Sequence, residues 1–368
     1  MFIVQPWFTA IGHPAQSTLN TARILGKRDD IAYLISSAHR PSPVDGLARE
    51  LENYGAVRRF RVPNDCLSLD TFLGLIALVR ARQGTGPHSI FFLDAHFVVL
   101  SALWPIMERF LPSVRSVSML ELGGPERVCA RASRRRLVRR FLREPGRRVF
   151  LRTEELAAAW RSAFPEIPRD HIDTIPSLEI PDKDETVPVR AGSEPASFGV
   201  IGQIRPGKGL EWLVPLFRRH PELGTLRVAG TFTHEDHRRR LGVLDGYAEF
   251  DNRFFSEQEM LAEAAAQDYL VALYDDWDTR MEAATVYLAA RVGRPVIVCN
   301  DGWCGRICRE YGFGIAAPRS PRLGAEFFST LPRRGDGAYR ALMAGMARFR
   351  AAHSGEAHRA EFLRKVTA

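Results

Sequence analysis

Long apolar runs are missing from this sequence of 368 residues. No stretch reaches the ~18 uninterrupted apolar residues that a membrane-spanning helix requires, and the most apolar one, residues 89–107, contains Asp94 and His96. The amino terminus also lacks the basic segment and the long apolar segment of a secretory signal peptide, so we expect a cytoplasmic protein. Cysteine is scarce, and the odd number of five scattered cysteines excludes a disulfide scaffold and predicts free thiols.

Acidic residues are nearly absent from one segment of an otherwise ordinary composition. With 45% hydrophobic and 26% charged residues, the chain is typical of a globular protein and not of a disordered or collagen-like one. Residues 127–152 contain eleven Arg, no Lys and one acid, Glu144, whereas the whole chain carries +8. The rest of the chain is therefore slightly negative, and the local excess of positive charge indicates one anionic partner at one place.

The length predicts two domains, because a single hydrophobic core rarely organises more than about 300 residues. Short apolar runs alternate with amphipathic stretches in both halves of the chain. The predicted strands are residues 2–4, 31–36, 57–62, 90–93, 114–120 and 148–151 in the first half, and 198–201, 226–229, 248–250, 269–273 and 295–298 in the second. This alternation predicts an α/β fold with two doubly wound parallel sheets, each covered by helices.

Proline-rich sequence separates the two halves. Four prolines between residues 176 and 195 indicate a linker. We therefore predict a first domain at residues 1–180, a linker at 181–196, a second domain at 197–338, and carboxy-terminal helices at 339–368 that pack back on the first domain. Because doubly wound sheets bind ligands at the carboxyl ends of their strands, the cleft between the domains is the expected site.

A glycine-rich turn with two cations opens the second half. Residues 198–211 form an apolar strand, a turn with three glycines, and a helix that begins near Gly209. Glycine lets a backbone approach a ligand closely, and the free N–H groups of a helix start attract anions. Arg205 and Lys208 add charge that suits a diphosphate. The spacing fits neither a Walker A loop nor a dinucleotide-binding loop, and a plain connection with solvated cations remains an alternative.

This segment resembles the donor-phosphate loop of GT-B glycosyltransferases, in particular the family 4-like group, where the pattern G-x-[IL]-R-x-x-K-G grips a nucleotide-sugar diphosphate. Further segments similar to that group follow in its order, at residues 226–230, 254–260, 267–274 and 290–298. The resemblance implies two Rossmann-like domains, a nucleotide-diphosphate sugar as donor substrate, and neither a cofactor nor a metal ion. It places five residues at the donor diphosphate: Gly12, Gly202, Arg205, Lys208 and Gly209. It places Phe254 and Phe255 beside the nucleobase.

The sequence departs from that group at the donor sugar. The group carries two glutamates eight positions apart, and the matching positions here are Arg280 and Leu288. The resemblance therefore assigns the sugar-facing segment to Arg280, Glu282, Ala283 and Ala284. Glu282 is a candidate for a displaced catalytic carboxylate; the alternative is an ordinary glutamate in the first turn of a helix.

The first domain is expected to hold the acceptor. The resemblance implies that the loop after the first strand lies over the diphosphate and the acceptor. It therefore assigns His13, Gln16 and Ser17 to the acceptor side. The ends of the next strands supply the candidate catalytic residues Asp94, His96 and Glu121. An inverting enzyme needs one such group as general base on the acceptor hydroxyl, whereas a retaining enzyme needs no separate base.

The arginine-rich segment has helical spacing. Its candidate membrane-binding residues are Arg135, Arg136, Arg139, Arg140 and Arg143, and Leu137, Val138, Phe141 and Leu142 supply an apolar strip. Such a helix can lie on an anionic membrane. The alternative is a solvated arginine face on a helix whose apolar strip packs on its own sheet. Nucleic acid is not expected, because no recognition-helix or RNA-binding motif is present.

Two further clusters contain metal-ligating residue types. Cys299, Cys304 and Cys308 lie close in sequence, but no fourth ligand lies nearby, so we assign no metal. The run His-Glu-Asp-His at 234–237 precedes three arginines and predicts the solvated start of a helix.

Taken together, these patterns predict a glycosyltransferase that moves a hexose from a nucleotide-diphosphate sugar to a glycan or a polyprenyl-linked acceptor. The expected setting is bacterial surface polysaccharide or lipopolysaccharide biosynthesis, in the cytoplasm and peripheral to the inner face of the cytoplasmic membrane. Two alternatives stay open: a GT-B sugar-nucleotide epimerase, and a catalytically degenerate GT-B protein that acts as an assembly partner, which the missing glutamate pair favours.

Overall fold

A computed structural model describes residues 1–6, 8, 14–37, 44–61, 69–81, 87–93, 96–181, 196–242, 249–275, 278–319 and 323–367. The chain folds into two compact units. Unit 1 comprises Met1–Asp182 and Ser354–Ala368, and unit 2 comprises Lys183–His353. Each unit contains one parallel sheet with its own hydrophobic core.

Unit 1 is built on a seven-stranded sheet in the order β3-β2-β1-β4-β5-β6-β7. Its strands are β1 (Phe2–Gln5), β2 (Ala32–Ser37), β3 (Ala56–Arg61), β4 (His88–Phe92), β5 (Val114–Leu120), β6 (Arg147–Leu151) and β7 (Ile172–Thr174). The helices between them are α1 (Pro14–Leu25), α2 (Asp45–Leu51), α3 (Leu69–Ala81), α4 (Phe97–Met107), α5 (Pro125–Val128), α6 (Ala132–Arg143) and α7 (Glu154–Ala163). All paired strands are parallel.

Unit 2 repeats this winding in a six-stranded sheet of order β10-β9-β8-β11-β12-β13. Its strands are β8 (Ser197–Ile201), β9 (Thr225–Gly230), β10 (Glu249–Asn252), β11 (Tyr269–Ala272), β12 (Val296–Cys299) and β13 (Gly314–Ala317). Its helices are α8 (Leu210–Arg219), α9 (Glu235–Gly242), α10 (Glu257–Ala266), α11 (Ala284–Val292), α12 (Gly302–Tyr311), α13 (Ala325–Ser329) and α14 (Gly337–Ala352). The prediction of two doubly wound parallel sheets is confirmed.

Burial explains why the central strands are almost purely apolar. Every residue of β1, β11 and β12 is buried, as expected for parallel strands that have helices on both faces. In each sheet the order in which strands are added reverses once, between the neighbouring strands β1 and β4 in unit 1 and between β8 and β11 in unit 2. In doubly wound sheets, ligands bind at the carboxyl ends of the strands where this reversal occurs.

The carboxy-terminal region forms two helices that belong to different units. Helix α14 is part of unit 2, whereas α15 (Gly355–Thr367) is part of unit 1. In unit 1 the Phe362 ring packs edge-on against Phe91 at 5.5 Å. Lys365 donates to Thr174 O at 2.6 Å and pairs with Asp173 at 2.9 Å. Of the helices described, none is long and apolar enough to cross a membrane.

Candidate functional site

The glycine-rich turn lies at the carboxyl end of β8, where the winding of the unit 2 sheet reverses. Gly202, Gly207 and Gly209 have φ values of +105°, +78° and +76°, which side chains disfavour. A Cβ at Gly209 would lie 2.4 Å from Leu273 O, in the segment that follows β11. Glycine at this position therefore lets the turn pass directly over the end of the neighbouring strand, and α8 begins immediately after it.

Backbone hydrogen bonds hold this turn on both sides. Ile204 N donates to Thr231 O, and Thr233 N donates to Ile204 O, each at 2.9 Å, so the turn is tied to the segment after β9. On the other side, Asp275 N donates to Gly207 O at 2.9 Å. The turn, which we call the phosphate loop (residues 202–209), is thus anchored to both neighbouring strand ends.

The two cations of the phosphate loop lie together. The Lys208 ammonium stands 5.6 Å from the centroid of the Tyr274 ring, and the Tyr274 hydroxyl is 2.7 Å from Thr285 Oγ1. Burial, and to a lesser degree the neighbouring charge of Arg205, lower the pKa of Lys208 to about 8. Within the described part of the chain, Lys208 has no carboxylate partner. The phosphate loop therefore carries positive charge that an anion can neutralise.

In the segment assigned to the donor sugar, the charged side chains form hydrogen bonds with residues close to them in sequence. Arg280 makes two 2.8 Å hydrogen bonds to the carboxylate of Asp278 through Nε and Nη2. Glu282 accepts a hydrogen bond from the Tyr287 hydroxyl at 2.7 Å. Helix α11 begins at Ala284, so Glu282 precedes the helix and does not lie in its first turn, and Ala283 precedes it without a side-chain cap. Arg280 and Glu282 are thus held by neighbours in their own segment.

The segment after β10 presents one aromatic ring to solvent. Phe254 is 42% exposed, whereas the Arg253 guanidinium covers the Phe255 ring at 3.9 Å from its centroid. Ser256 and Glu259 form a capping box that starts α10. Of the two predicted nucleobase residues, Phe254 is the one whose ring the structure leaves open for stacking.

In unit 1, three of the predicted residues, Gly12, His13 and Asp94, lie outside the described residues. Ser17 donates to Glu179 Oε1 at 2.7 Å, and Gln16 donates to Asn20 Oδ1 at 3.0 Å. These contacts occupy both predicted acceptor-side residues of α1.

The predicted catalytic residues of unit 1 that the structure describes lie at the carboxyl edge of its sheet. His96 is exposed and directly precedes α4, without capping the helix through its side chain. Glu121 follows β5 and accepts a hydrogen bond from Gly123 N at 3.0 Å. Both residues therefore lie where a doubly wound sheet presents its chemistry.

Helix α6 buries most of the apolar strip that the sequence predicted to face a membrane. Val138, Phe141 and Leu142 are buried, and the Phe141 ring packs edge-on against Phe97 of α4 at 5.7 Å. These three side chains are part of the unit 1 core and are not available to a lipid surface, whereas Leu137, the fourth member of the predicted strip, is half-buried. The exposed side of the helix is its arginine face, whose solvent-exposed members are Arg134, Arg135, Arg136, Arg140 and Arg143. Arg139 is half-buried and stands 3.8 Å from Glu166.

The histidine run before the three arginines of α9 is only partly solvated. His234 is exposed, but the side chain of His237 is fully buried, and its Nε2 lies 3.1 Å from Glu211 Oε1 of α8. The predicted solvated helix start is wrong for His237, because α9 packs its inner face on α8. In the described part of the chain, no group of three or more His, Cys, Asp or Glu side chains is placed to hold a metal ion.

Comparison with known proteins identifies the fold. No protein-family model and no curated protein matches the sequence. Among solved structures, HepE from Anabaena in complex with UDP and glucose is similar over 100% of this chain and 99% of that chain, with a TM-score of 0.73 and 12% identity. A glycosyltransferase from Rickettsia africae has a TM-score of 0.68 and 11% identity, with 99% and 96% of the two chains covered.

A third similar structure is the sucrose-phosphate synthase from Thermosynechococcus elongatus, with a TM-score of 0.65, 14% identity and coverage of 99% and 97% of the two chains. These likenesses extend over essentially the whole chain, and they show its fold to be the GT-B fold of two parallel sheets covered by helices. The predicted fold class is confirmed.

Proposed function

We propose that the protein is a glycosyltransferase that moves a hexose from a nucleotide-diphosphate sugar to a glycan or lipid-linked acceptor. The observation that carries the proposal is the phosphate loop: three glycines with positive φ, the start of α8, and the cations Arg205 and Lys208 at the carboxyl edge of a doubly wound sheet. A GT-B fold similar to that of HepE, whose structures hold UDP, UDP and glucose, or UDP-glucose, supports a nucleotide sugar as donor.

The chemistry of such a transfer needs positive charge at the leaving group. The bond between the anomeric carbon and the diphosphate oxygen breaks, the acceptor hydroxyl oxygen bonds to the anomeric carbon, and the acceptor proton passes to a general base in an inverting enzyme or to the departing diphosphate in a retaining one. Negative charge accumulates on the departing diphosphate. Arg205 and Lys208 stabilise that charge, and the anchored loop keeps them in place before the substrate arrives.

Donor binding should weaken at alkaline pH because of Lys208. The ammonium form binds the diphosphate, and its pKa of about 8 in the free protein means that the charge is lost as the pH rises through 8. The diphosphate itself is fully ionised above about pH 7. We therefore expect the affinity for UDP to fall about twofold between pH 7 and 8 and by up to about tenfold per pH unit well above pH 8. Calorimetric titration at each pH measures this.

The matched variant for this pH dependence is Lys208→Arg, because a guanidinium stays charged throughout the range. Its affinity for UDP should remain constant up to pH 9.5. An alkaline loss of the same size in wild type and in Lys208→Arg would show that Lys208 is not the titrating group.

The proposed function is tested by offering the protein UDP-, GDP- and TDP-sugars. Thermal stabilisation by one of these donors, followed by transfer of its labelled hexose to a glycan or to a lipid-linked acceptor, is the expected result. If none of the donors raises the unfolding temperature at millimolar concentration, the proposal is wrong. Epimerised donor formed without any acceptor would identify an epimerase instead.

A second candidate function is favoured by one observation. Arg280 stands where the family 4-like pattern has a glutamate, and it is held by Asp278, while Glu282 is held by Tyr287. This arrangement suits a protein that binds a nucleotide sugar without transferring it and acts in an assembly. Tight donor binding together with no turnover on any acceptor would support this second function.

We also propose that the acceptor is lipid-linked, in bacterial surface polysaccharide or lipopolysaccharide biosynthesis, and that unit 1 docks on the anionic inner face of the cytoplasmic membrane. The exposed arginine face of α6 supports this proposal. Ile106 of α4 and Phe110 in the turn after it are 57% and 50% exposed. Helix α4 packs against α6 through Phe97 and Phe141, so these exposed apolar side chains belong to elements that neighbour the arginine face.

Vesicle binding tests this docking. Replacing Arg136, Arg140 and Arg143 with Gln removes about 1 kcal/mol of attraction per cation, so the affinity for vesicles that contain anionic lipid should fall on the order of 100-fold. The charge-matched control replaces Arg238, Arg239 and Arg240 of α9 in unit 2 and should bind like wild type. Equal binding of wild type to neutral and anionic vesicles would contradict the proposal.

A further inference from the structure

His237 is a buried histidine in contact with a carboxylate of the phosphate loop region. It is 1% exposed, and its Nε2 stands 3.1 Å from Oε1 of Glu211, in the first turn of α8. The same Glu211 oxygen accepts the Gly207 N–H at 3.4 Å. Glu211 therefore lies between a buried imidazole on one side and the backbone of the phosphate loop on the other.

Helix α9, which carries His237, is itself tied to the phosphate loop. The segment before α9 pairs with Ile204 through the two 2.9 Å backbone hydrogen bonds at Thr231 and Thr233. The Phe232 ring, in the same segment, lies 6.0 Å from the His237 ring. The imidazole is thus enclosed between α8 and a segment that two backbone hydrogen bonds tie to the loop.

The hydrogen bonding of His237 is incomplete in this structure. Nε2 lies within hydrogen-bonding distance of Glu211 Oε1 but is not aligned with it, and Nδ1 has no hydrogen-bond partner among the described residues. Buried polar groups are nearly always hydrogen-bonded, so this exception requires an explanation. Burial lowers the pKa of His237 although Glu211 opposes the change, which leaves the ring neutral at pH 7. The other titratable groups that face His237 are Arg240, in the same helix, and His234, directly before that helix.

We propose that His237 is a positioning residue of the phosphate loop: through Nε2 it holds the Glu211 carboxylate against the Gly207 N–H and so fixes the loop that receives the donor diphosphate. A neutral imidazole protonated on Nε2 can donate to Glu211 without cancelling its charge. The identity of the ligand rests on the proposed function, whereas the positioning of the loop does not.

Amide hydrogen exchange of the phosphate loop tests the positioning without any ligand. Phe matches the size of the ring and removes both nitrogens, Gln places its amide nitrogen near the position of Nε2, and Asn reaches only the position of Nδ1. Residues 202–209 should exchange about tenfold faster in His237→Phe and His237→Asn, and at nearly the wild-type rate in His237→Gln. The matched control is His220→Gln at the far, exposed end of α8, which should not change the rate.

A double variant identifies the partner of His237. In a Glu211→Ala background, which removes the acceptor, His237→Phe should add less than about twofold, because its effect passes through the carboxylate. A full tenfold effect in that background, or equal exchange in the Phe, Asn and Gln variants, would overturn the proposal, since a merely structural role makes no distinction between the two ring nitrogens.

Donor kinetics separate this proposal from the proposed function. If wild type uses a nucleotide sugar, His237→Phe should raise the KM for the donor about tenfold and leave kcat within about twofold, with rescue in His237→Gln. A fall in kcat at unchanged KM would overturn the positioning role. If wild type binds no nucleotide at all, the proposed function fails, while the exchange pattern still decides the role of His237.

Discussion

Replacing Arg205 and Lys208 together with alanine should abolish measurable binding of a nucleotide diphosphate while the protein stays folded. Charge-assisted hydrogen bonds contribute about 1.5–3 kcal/mol each, so the loss is about 3–6 kcal/mol, or on the order of 100-fold to 10,000-fold in affinity. Lys208 is half-buried over Tyr274 without a carboxylate partner in the described part of the chain. Removing this half-buried charge, which has no carboxylate partner there, should, if anything, stabilise the fold.

Calorimetric titration with UDP measures the loss of binding, and thermal unfolding without ligand measures whether the protein stays folded. The charge-matched control is the double replacement of Arg238 and Arg239, two exposed cations of α9 in the same unit. It should leave the affinity within about twofold, because solvent and salt screen exposed charges. Wild-type affinity in the Arg205→Ala, Lys208→Ala variant would show that the phosphate loop is not the donor site.

Asp268→Ala should strongly destabilise unit 2. The carboxylate, 3% exposed, accepts hydrogen bonds from Ser197 N at 2.8 Å and Ser197 Oγ at 3.1 Å, and its other oxygen is paired with Arg334. It therefore joins the start of β8 to the start of β11. Breaking a buried pair by removing one partner costs about 3–5 kcal/mol, since the remaining charge stays buried.

Urea unfolding of the full chain measures this loss as a fall in the midpoint of the unit 2 transition. Asp268→Asn keeps an acceptor for Ser197 and removes only the charge, so it should lie between wild type and Asp268→Ala. The control is Glu310→Ala, which removes a carboxylate from an exposed 3.4 Å pair with Arg306 and should cost less than about 0.5 kcal/mol. If Asp268→Ala unfolds like this control, the buried network does not support unit 2.

The order of strands and helices was largely predictable because each element carries its own local pattern. The predicted strand at 114–120 coincides with β5, and the helix predicted to begin near Gly209 is α8. Thr153 caps α7 and Ser256 caps α10, and such caps are local interactions.

Two edge strands, β7 and β13, had no such signal. Strand β7 is three residues long, and β13 starts at Gly314, where a Cβ would lie 2.0 Å from Val296 O of β12. Both strands form because a neighbouring strand offers hydrogen bonds at its edge, which no local pattern reports. The carboxy-terminal helices expected at 339–368 are α14 and α15, and the break between them near Ser354 was not predictable, because Ser354 forms a bridge to Ile180 in unit 1.

The candidate site likewise contains residues that the sequence identified and residues whose contacts only the structure shows. Arg205, Lys208 and the glycines of the phosphate loop lie in one short segment, so their residue types and spacing were sufficient to identify them. The ion pair of Arg280 with Asp278 and the exposure of Phe254 were not predictable, because side-chain geometry decides them. His237 was misassigned for the same reason: its partner Glu211 lies on another helix.

By itself, the sequence determined the alternation of strands and helices, the two-unit organisation that its length requires, and the cationic glycine turn at the start of α8. Only the tertiary structure decided that the apolar strip of α6 belongs to the core, that Tyr274 lies beneath Lys208, and that His237 contacts Glu211. The physical reason is the distance along the chain over which the interactions act. Turns, caps and periodicity arise from neighbours in sequence, whereas burial, pKa and side-chain pairing depend on residues that folding brings together from distant parts of the chain.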